Sequence, residues 1–316
     1  MDISVIIPLL NEAESLPELV PWIDRVMKQK GYSYEVVLID DGSTDNSWDI
    51  ISELRKKYTT VRGIKFRRNY GKSAALHTGF QASRGAVIIT MDADLQDSPE
   101  EIPEFYQMIT REDYDLVSGW KKKRHDPLLS KNIPSKFYNW TVRRISGIKL
   151  HDFNCGIKAY RNRVVKSIEI YGEMHRFIPV LAKWAGFKKI GEKIVQHQER
   201  KYGITKFGME RFTRGALDLL SVTFITRYGK SPMHLFGTLG MLVFILGFVM
   251  AAILGIKKIV AVKHNTLAPL VTSSPYFYIG LTCMIIGTLL FLSGFLGELI
   301  SRSSAERNHY LIEEEF

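Results

Sequence analysis

Cysteine is scarce in this sequence, and no cluster of cysteine and histidine is present. The two cysteines, Cys155 and Cys283, lie far apart, one in a polar stretch and the other in an apolar run, so we do not expect a structural disulfide. No C-x-x-C pair occurs, and no two histidines are four residues apart, which excludes the usual patterns of a zinc site. No histidine–acid relay accompanies Cys155, so this residue is expected to pack rather than to act as a nucleophile.

Two further patterns are missing from the first part of the chain. The opening residues run directly into a β-strand pattern without a basic segment, so no secretory leader is expected. The first strand–helix–strand unit contains no G-x-G-x-x-G, which argues against a dinucleotide-binding Rossmann domain.

The formal net charge of +10 at pH 7 indicates an anionic partner. A phosphorylated substrate, an acidic membrane surface and a nucleic acid all meet this condition. We expect no nucleic acid, because the basic residues stand beside large apolar residues that favour a membrane interface. The mean hydropathy is near zero because a polar first two-thirds offsets a very apolar last third.

Strand and helix patterns alternate along the early part of the chain. Short apolar runs predict strands at residues 3–8, 35–39, 61–66, 87–91 and 115–118. Apolar residues three and four apart predict helices at 15–29, 46–57, 69–82 and 99–110. Ser43 or Thr44 is predicted to cap the second helix. This alternation favours an α/β fold with a mostly parallel sheet.

Polar residues stand where three of these strands end: Asn11 and Glu12, Asp40 and Asp41, and Asp92 and Asp94. The carboxyl ends of parallel strands meet at one edge of a sheet, where ligands bind. Carboxylates together with substrate phosphates are the usual ligands of Mg²⁺ or Mn²⁺. The fourth strand, which runs into Asp92-x-Asp94, therefore predicts a metal–diphosphate site, unless it simply ends in a polar turn.

The last third of the chain contains two long uncharged apolar segments, residues 235–256 and 276–297. Each is long enough to cross the ~30 Å hydrocarbon core as a helix. The short connection at 257–275 predicts a transmembrane hairpin with both chain ends on one side. Six glycines allow close helix contact and are compatible with a homo-oligomer: Gly237, Gly240, Gly247, Gly280, Gly287 and Gly294.

Residues 136–147 and 210–228 combine large apolar side chains with basic ones. This composition predicts amphipathic helices that lie in a membrane interface. Core helices whose basic side chains extend to the surface are the alternative, above all for residues 136–147.

Six motifs, in order along the chain, resemble those of family 2 glycosyltransferases with a GT-A fold. They are Pro8-x-x-Asn11-Glu12, Asp40-Asp41-Gly42-Ser43-Thr44-Asp45, Arg68-Asn69-x-Gly71-Lys72, Asp92-Ala93-Asp94-Leu95-Gln96-Asp97, His151-Asp152-Phe153-Asn154-Cys155-Gly156 and Arg200-x-Tyr202-Gly203-x-Thr205-Lys206. The resemblance covers most of residues 1–230 and is closest to the polyprenyl-phosphate glycosyltransferases. A common form of that group carries two C-terminal membrane helices.

The resemblance implies a nucleotide-sugar site, a metal site and an acceptor site. The donor contacts would be Pro8, Asn11, Glu12, Asp40, Asp41, Lys72 and Asp92, with Arg200 and Lys206 on a loop that closes on the diphosphate. The ligands of Mg²⁺ or Mn²⁺ would be Asp92, Asp94 and Gln96. The acceptor-side acid would be Asp152, and the contacts of the acceptor phosphate would be Arg124, Lys131 and Ser135.

Two positions depart from the family's pattern. Leu10 stands where an aromatic residue is frequent, which affects base stacking, and Lys131 stands where arginine is common. Lysine offers a point charge rather than a bidentate fork. The basic run of residues 121–124 with Lys131 suits an anionic acceptor, although a solvated loop or a lipid-headgroup contact would have the same composition.

The implied activity is an inverting, metal-dependent transfer of a sugar from a UDP- or GDP-sugar to a polyprenyl phosphate such as undecaprenyl phosphate. Residues 1–209 would form the catalytic domain, 210–232 an interface region, 233–300 the transmembrane hairpin and 301–316 a cytoplasmic tail. Because nucleotide-sugars are cytoplasmic, the catalytic domain of this integral protein of the inner or plasma membrane would face the cytoplasm.

Two other functions fit parts of the sequence. A processive polysaccharide synthase shares this fold but carries a Gln-x-x-Arg-Trp motif, which is missing around Gln196 and Arg200. A non-catalytic membrane scaffold would not need the intact acids Asp92, Asp94 and Asp152.

Overall fold

The computed structural model describes residues 1–122, 133–198, 201–202, 231–264, 266 and 270–303, without the side chains of 133–138, 145 and 301–303. The chain divides into two compact units, Met1–Val222 and Thr223–Phe316.

One sheet of seven strands forms the centre of the first unit. The strands are β1 Ile3–Leu9, β2 Tyr34–Asp40, β3 Val61–Lys65, β4 Val87–Thr90, β5 Leu116–Trp120, β6 Lys158–Arg161 and β7 Ile190–Ile194. Their order across the sheet is β3-β2-β1-β4-β6-β5-β7. Only β6 runs antiparallel to its neighbours, β4 and β5, so the predicted mostly parallel sheet is confirmed.

Helices cover both faces of this sheet. The described helices of the first unit are α1 Leu16–Lys30, α2 Ser47–Lys57, α3 Lys72–Ala82, α4 Ile102–Thr110, α5 Ile133–Ser146, α6 Asn162–Lys166 and α7 Ile178–Trp184. Two 3₁₀ turns, Pro99–Glu101 and Met174–Phe177, precede α4 and α7.

The core has one layer on each face, because successive side chains of a strand point to opposite sides. In β1, Val5 and Ile7 pack with residues of α1, α2 and α4, whereas Ile6 packs with residues of α3, α6 and α7. Burial on both faces explains why β1 and β2 are almost continuously apolar. It also leaves the polar residues of these segments at the strand ends, where the site forms.

The predicted cap of the second helix by Ser43 or Thr44 is wrong. The N-cap of α2 is Asn46, and its side chain makes no capping hydrogen bond. Ser43 Oγ accepts from the backbone N–H of Asn11 at 2.9 Å, and Asn11 Oδ1 accepts from the N–H of Thr44 at 2.8 Å. The two residues therefore connect the loops after β1 and β2 instead of closing the helix end.

The elements between residues 147 and 198 are absent from the sequence-based prediction. Strands β6 and β7 have four and five residues, and β6 reads Lys-Ala-Tyr-Arg, which contains no apolar run. Helix α5 agrees with the amphipathic helix predicted at 136–147. Its Val142 is buried in the core and its Trp140 is 59% exposed, while residues 210–228 lie outside the described part of the chain.

Two long helices, α8 Pro232–Lys263 and α9 Pro275–Ser303, make up most of the described second unit. Both contain segments long and apolar enough to cross a membrane. The predicted connection at 257–275 starts too early, because residues 257–263 still belong to α8. Lysine and apolar residues are compatible with a helix, so the lysines at 257 and 258 do not end it.

Glycines bring α8 and α9 together, as predicted. A Cβ added to Gly240 would lie 2.6 Å from the carbonyl oxygen of Gly287, and one added to Gly294 would lie 3.0 Å from the backbone nitrogen of Gly237. The order of these contacts shows that the helices run antiparallel. Outside this seam the large apolar side chains of both helices are exposed, far beyond what a water-soluble surface carries.

Candidate active site

The loops after β1 and β2 form one hydrogen-bonded group at the carboxyl edge of the sheet. Ser43 donates its backbone N–H to Asp40 Oδ1 at 2.8 Å. Asn11 has φ 55, a left-handed conformation that is uncommon outside glycine and concentrates at functional sites. Asp40 is fully buried, and its Oδ2 has no hydrogen-bond partner among the described residues. This carboxylate oxygen is therefore placed to accept a hydrogen bond from a ligand.

The other two predicted contacts from β1 are differently placed. Glu12 donates its N–H to Ser47 Oγ at 2.9 Å, and its carboxylate accepts from Ser15 Oγ at 3.2 Å. Pro8 lines a cleft beside Asp92 rather than the group around Asn11.

Asp41 holds the neighbouring loop in place. It is buried, and its two oxygens accept from the backbone N–H groups of Tyr70 and Gly71 at 2.7 and 2.9 Å. Burial raises the pKa of its carboxyl despite these hydrogen bonds. Both oxygens are thus engaged by the loop that leads into α3, which makes Asp41 an organiser of the site.

Lys72 and Asp92 form an ion pair at 2.5 Å between the start of α3 and the end of β4. About a third of each side chain is exposed, 37% and 33%. Burial is the largest single influence on the pKa of Asp92 and raises it, but the charge and hydrogen bond of Lys72, together with the charges of Lys121 and Lys158, outweigh burial and lower this pKa to about 2. The carboxylate is therefore ionised at neutral pH, with the ammonium group of Lys72 beside it.

The predicted metal ligands follow directly on this strand. Leu95 has φ 60, so a non-glycine residue in a strained conformation separates Asp94 from Gln96, and Asp94 Oδ1 accepts from the N–H of Gln96 at 3.2 Å. Among the described residues no group of three acidic, histidine or cysteine side chains can hold a metal by itself. Two carboxylates and an amide fit Mg²⁺ or Mn²⁺, which commonly take their remaining ligands from substrate phosphates and water.

Asp152 precedes β6 and is buried, with 1% of its surface exposed. Its Oδ1 accepts from the N–H of Asn154 at 3.0 Å, and its backbone carbonyl accepts from Ser118 Oγ at 3.2 Å. Such a fixed carboxylate is suited to orient a neighbour. Burial raises the pKa of the adjacent Cys155 thiol to about 12, which agrees with its predicted packing role.

A buried ion pair between Asp97 and Lys121 was not among the predicted site contacts. Lys121 Nζ lies 2.8 Å from Asp97 Oδ1, with 13% and 0% of the two side chains exposed. Burial is the largest single influence on the pKa of Lys121 and lowers it, but the charge and hydrogen bond of Asp97, together with the charges of Cys155 and Asp92, outweigh burial and raise this pKa. A Cβ on Gly156 would lie 2.5 Å from Asp92 Oδ2 and 2.8 Å from Asp97 Oδ2, so the close approach of both acids requires glycine there.

Sequence reasoning also missed three basic residues that line the cleft beside Asp92: Lys158, His175 and Arg176. Lys158 is buried on β6, and its Nζ donates to the carbonyl of Cys155. His175 Nδ1 lies 3.0 Å from Ser73 Oγ. Burial, followed by the charges of Lys72, Arg176 and Lys158, lowers the pKa of His175 well below its usual value. No sequence pattern pointed to these three residues, because Lys158 lies in a strand without an apolar run and His175 and Arg176 lie in a 3₁₀ turn.

Five predicted contacts remain predictions. Arg124, Lys131, Arg200 and Lys206 lie outside the described residues, and Ser135 lies in α5 but its side chain is not described.

Comparison with known proteins identifies the family. Residues 4–169 match the model of the family described as glycosyl transferase family 2. This chain belongs to glycosyl transferase family 2. It is therefore a glycosyltransferase, and the resemblance inferred from the six motifs is confirmed.

Two relatives show which branch of family 2 is similar. The dodecaprenyl-phosphate galacturonate synthase of Rhizobium johnstonii is 35% identical over 305 residues, which cover 96% of this chain and 88% of that protein. The undecaprenyl-phosphate 4-deoxy-4-formamido-L-arabinose transferase of Pseudomonas syringae pv. syringae is 34% identical, over 82% of this chain and 74% of that protein. Both are named as polyprenyl-phosphate sugar transferases.

Solved structures establish the fold of this family 2 member. Glucosyl-3-phosphoglycerate synthase from Mycobacterium tuberculosis, solved with Mn²⁺ and UDP-glucose, superimposes with a TM-score of 0.54 at 19% identity. The match covers 70% of this chain and 78% of that one. The predicted GT-A fold is confirmed.

Proposed function

We propose that this glycosyltransferase moves one sugar from a nucleoside-diphosphate sugar to a polyprenyl phosphate at a membrane, with inversion at the anomeric carbon. The observation that carries the proposal is the order of groups along one sheet edge. Asn11 and Asp40 stand at β1 and β2, the Lys72–Asp92 pair stands at β4, and Asp152 stands before β6. This order matches a base and ribose, then a diphosphate, then an acceptor.

On the donor side, the residues present bind and neutralise the leaving group. Asp40 Oδ2 accepts from the nucleoside, and Lys72 contacts the diphosphate. Bound Mg²⁺ or Mn²⁺ would be held by Asp92, Asp94 and Gln96 and would neutralise charge as the glycosyl bond breaks. Arg200 and Lys206 complete the donor site in the proposal.

On the acceptor side, no enzyme nucleophile is required. A phosphomonoester has a second pKa near ~6 and is largely dianionic at neutral pH. Its oxygen attacks the anomeric carbon while the electrons of the broken carbon–oxygen bond move to the diphosphate. This single direct displacement inverts the configuration at the anomeric carbon. Asp152 orients the acceptor, and Arg124, Lys131 and Ser135 hold its phosphate.

The second unit supplies the membrane. In the proposal α8 and α9 cross it as a hairpin, residues 210–232 lie at the interface, and residues 1–209 and 301–316 face the cytoplasm, where nucleotide-sugars are made. The names of the two relatives, one for dodecaprenyl phosphate and one for undecaprenyl phosphate, and the two apolar helices support a polyprenyl phosphate as the acceptor, and undecaprenyl phosphate is the one we take for the test.

The test is product formation in membranes that contain the full chain. Radiolabelled UDP- and GDP-sugars are incubated with undecaprenyl phosphate, and we expect one donor to give a lipid-linked sugar that depends on Mg²⁺ or Mn²⁺. Asp94→Ala should abolish the product. Asp49→Ala removes an exposed acid from α2 and should leave the rate unchanged. No lipid-linked sugar with any donor would overturn the proposal.

A further inference from the structure

After β7 the chain runs along the carboxyl edge of the sheet and returns to α1. Strand β7 is the last strand at one edge, and three strands separate it from β1, which precedes α1. Residues 195–198 and 201–202 are the described part of this returning segment. Contacts at its two ends hold it against the site.

The first end lies on the loop that contains the predicted metal ligands. The backbone of His197 pairs with that of Asp97, and the N–H of Gln198 donates to the carbonyl of Gln96 at 3.1 Å. These backbone contacts fix the distance between the returning segment and Gln96.

The second end lies on the first turn of α1. Lys201 Nζ is 2.6 Å from Glu18 Oε2, and the hydroxyl of Tyr202 donates to the same oxygen at 3.5 Å. Lys201 Nζ also lies 5.5 Å from the centre of the Tyr202 ring. Tyr202 packs against the core layer that includes Leu16 and Leu19 of α1. One carboxylate oxygen therefore holds two consecutive residues of the segment.

The exposure of this contact indicates that stability is not its main effect. The side chains of Lys201 and Glu18 are 55% and 42% exposed, and an ion pair this exposed adds little to the stability of a fold. Only Glu199 and Arg200 stand between the two held ends. Consecutive Cα atoms are ~3.8 Å apart, so a shift of Lys201 also shifts the residue before it, Arg200.

We propose that Glu18 is a positioning residue of the donor site, which holds Lys201 and Tyr202 on α1 so that Arg200 reaches the diphosphate. The inference rests on the proposed function, because it takes Arg200 to be a diphosphate contact. It adds a residue outside the six motifs, which contacts no substrate and acts through Arg200. The alternative is a contact that serves the fold alone.

Nucleotide binding by four chains tests this role. The full chain in detergent with Mn²⁺ is titrated with UDP and with GDP, in the native form, as Glu18→Gln, as Arg200→Met and as the double variant. For the nucleotide that the native chain binds more tightly, we expect Glu18→Gln to weaken binding about 5-fold and Arg200→Met about 10-fold. The double variant should bind as Arg200→Met does, because a positioning residue has no effect once the residue that it positions is gone.

The sign of the change separates the proposal from a direct effect of charge. Glu18→Gln removes a negative charge, which by itself would strengthen the binding of an anionic diphosphate. Glu14→Gln removes another exposed acid four residues earlier and should leave the affinity unchanged. The reversed pair, Glu18→Lys with Lys201→Glu, restores the ion pair and should bind within about 2-fold of the native chain.

Four outcomes would overturn the inference. Unchanged or stronger binding by Glu18→Gln would show that α1 does not position the donor site, and a lower midpoint of denaturant unfolding in this variant would assign the contact to the fold. Additive losses in the double variant would show that Glu18 acts independently of Arg200. Unchanged binding by Arg200→Met would remove Arg200 from the donor site. The product assay in membranes reports on sugar transfer separately, since it requires the acceptor and the binding titration does not.

Discussion

At the scale of single residues, the two adjacent acids Asp40 and Asp41 have different tasks. Asp40→Asn keeps the oxygen that accepts from Ser43 but changes the oxygen without a partner into a donor. We expect nucleotide affinity to fall about 10-fold, with less than about 1 kcal/mol lost in stability. Asp41→Asn places an amide group against a backbone N–H of residues 70–71 and should cost about 1–3 kcal/mol. UDP titration and denaturant unfolding measure the two effects, and equal effects of both variants on both quantities would contradict the division.

His175 gives a pH dependence with a definite sign. Its pKa in the folded protein lies well below the value near ~6.5 of an unfolded chain, chiefly because it is buried. As pH falls below about 6.5, the unfolded state takes up the proton first, so stability decreases. The midpoint of thermal unfolding should therefore drop between about pH 7.5 and 5.5. His175→Asn should flatten this slope, and His264→Asn, at the end of α8, should not. An equally steep slope without His175 would refute the assignment.

The residues that the sequence predicts lie in short local patterns, whereas the residues that it misses come together only through contacts between distant segments. Asp40, Asp92 and Asp152 follow strands or lie in short motifs, so local sequence places them. Arg176 reaches the same site from a 3₁₀ turn that no motif marks. Lys158 sits in the one antiparallel strand inside the parallel sheet. Only the three-dimensional packing of distant segments reveals that these two cations line a cleft with Asp92.

At the scale of elements, the Asp97–Lys121 pair joins the loop after β4 to the end of β5. The same loop meets the segment after β7, where Asp97 and His197 form a backbone bridge and the N–H of Gln198 donates to the carbonyl of Gln96 at 3.1 Å. The loop that contains Asp97 therefore connects three predicted parts of the site. They are the metal ligands, the basic run of residues 121–124 and the segment that leads to Arg200. Sequence patterns predicted each loop but not their connection.

Removing one member of this pair leaves a buried charge without its partner. Asp97→Asn or Lys121→Met should each destabilise the protein by about 3–5 kcal/mol. The double variant should lose clearly less than the sum of the two, because no charge is then left alone. Denaturant unfolding of the three variants measures the coupling. Additive losses would show that the two side chains do not stabilise one another.

At the scale of the whole molecule, a donor site and two apolar helices occur in one chain, and the reaction proposed for it needs both. In the proposed reaction Asp92 and Lys72 bind a water-soluble nucleotide-sugar, whereas the polyprenyl phosphate is confined to a bilayer. Sequence length and hydropathy predicted the two helices well, because an uncharged apolar segment is itself the signal. The end of α8 was predicted poorly, because lysine at 257 and 258 marks a change in polarity rather than a break in the helix.

The proposed arrangement in the membrane predicts which side of the bilayer each part of the chain faces. If α8 and α9 cross as a hairpin and the first unit faces the cytoplasm, residue 266 between the helices must lie on the outer side. Thr266→Cys and Lys56→Cys, the latter exposed on α2, place single thiols at the two ends. Native Cys155 is buried and Cys283 lies within α9, and the unaltered chain provides the background.

A membrane-impermeant maleimide applied to intact spheroplasts of a bacterial host should label the cysteine at 266 and leave the one at 56 unlabelled. After lysis both should react, because the membrane then shields neither side. Labelling of position 56 before lysis, with position 266 protected, would place the sugar-transferring unit outside. Protection of both positions until lysis would show that the helices do not carry residue 266 across the membrane, and the hairpin proposal would then fail.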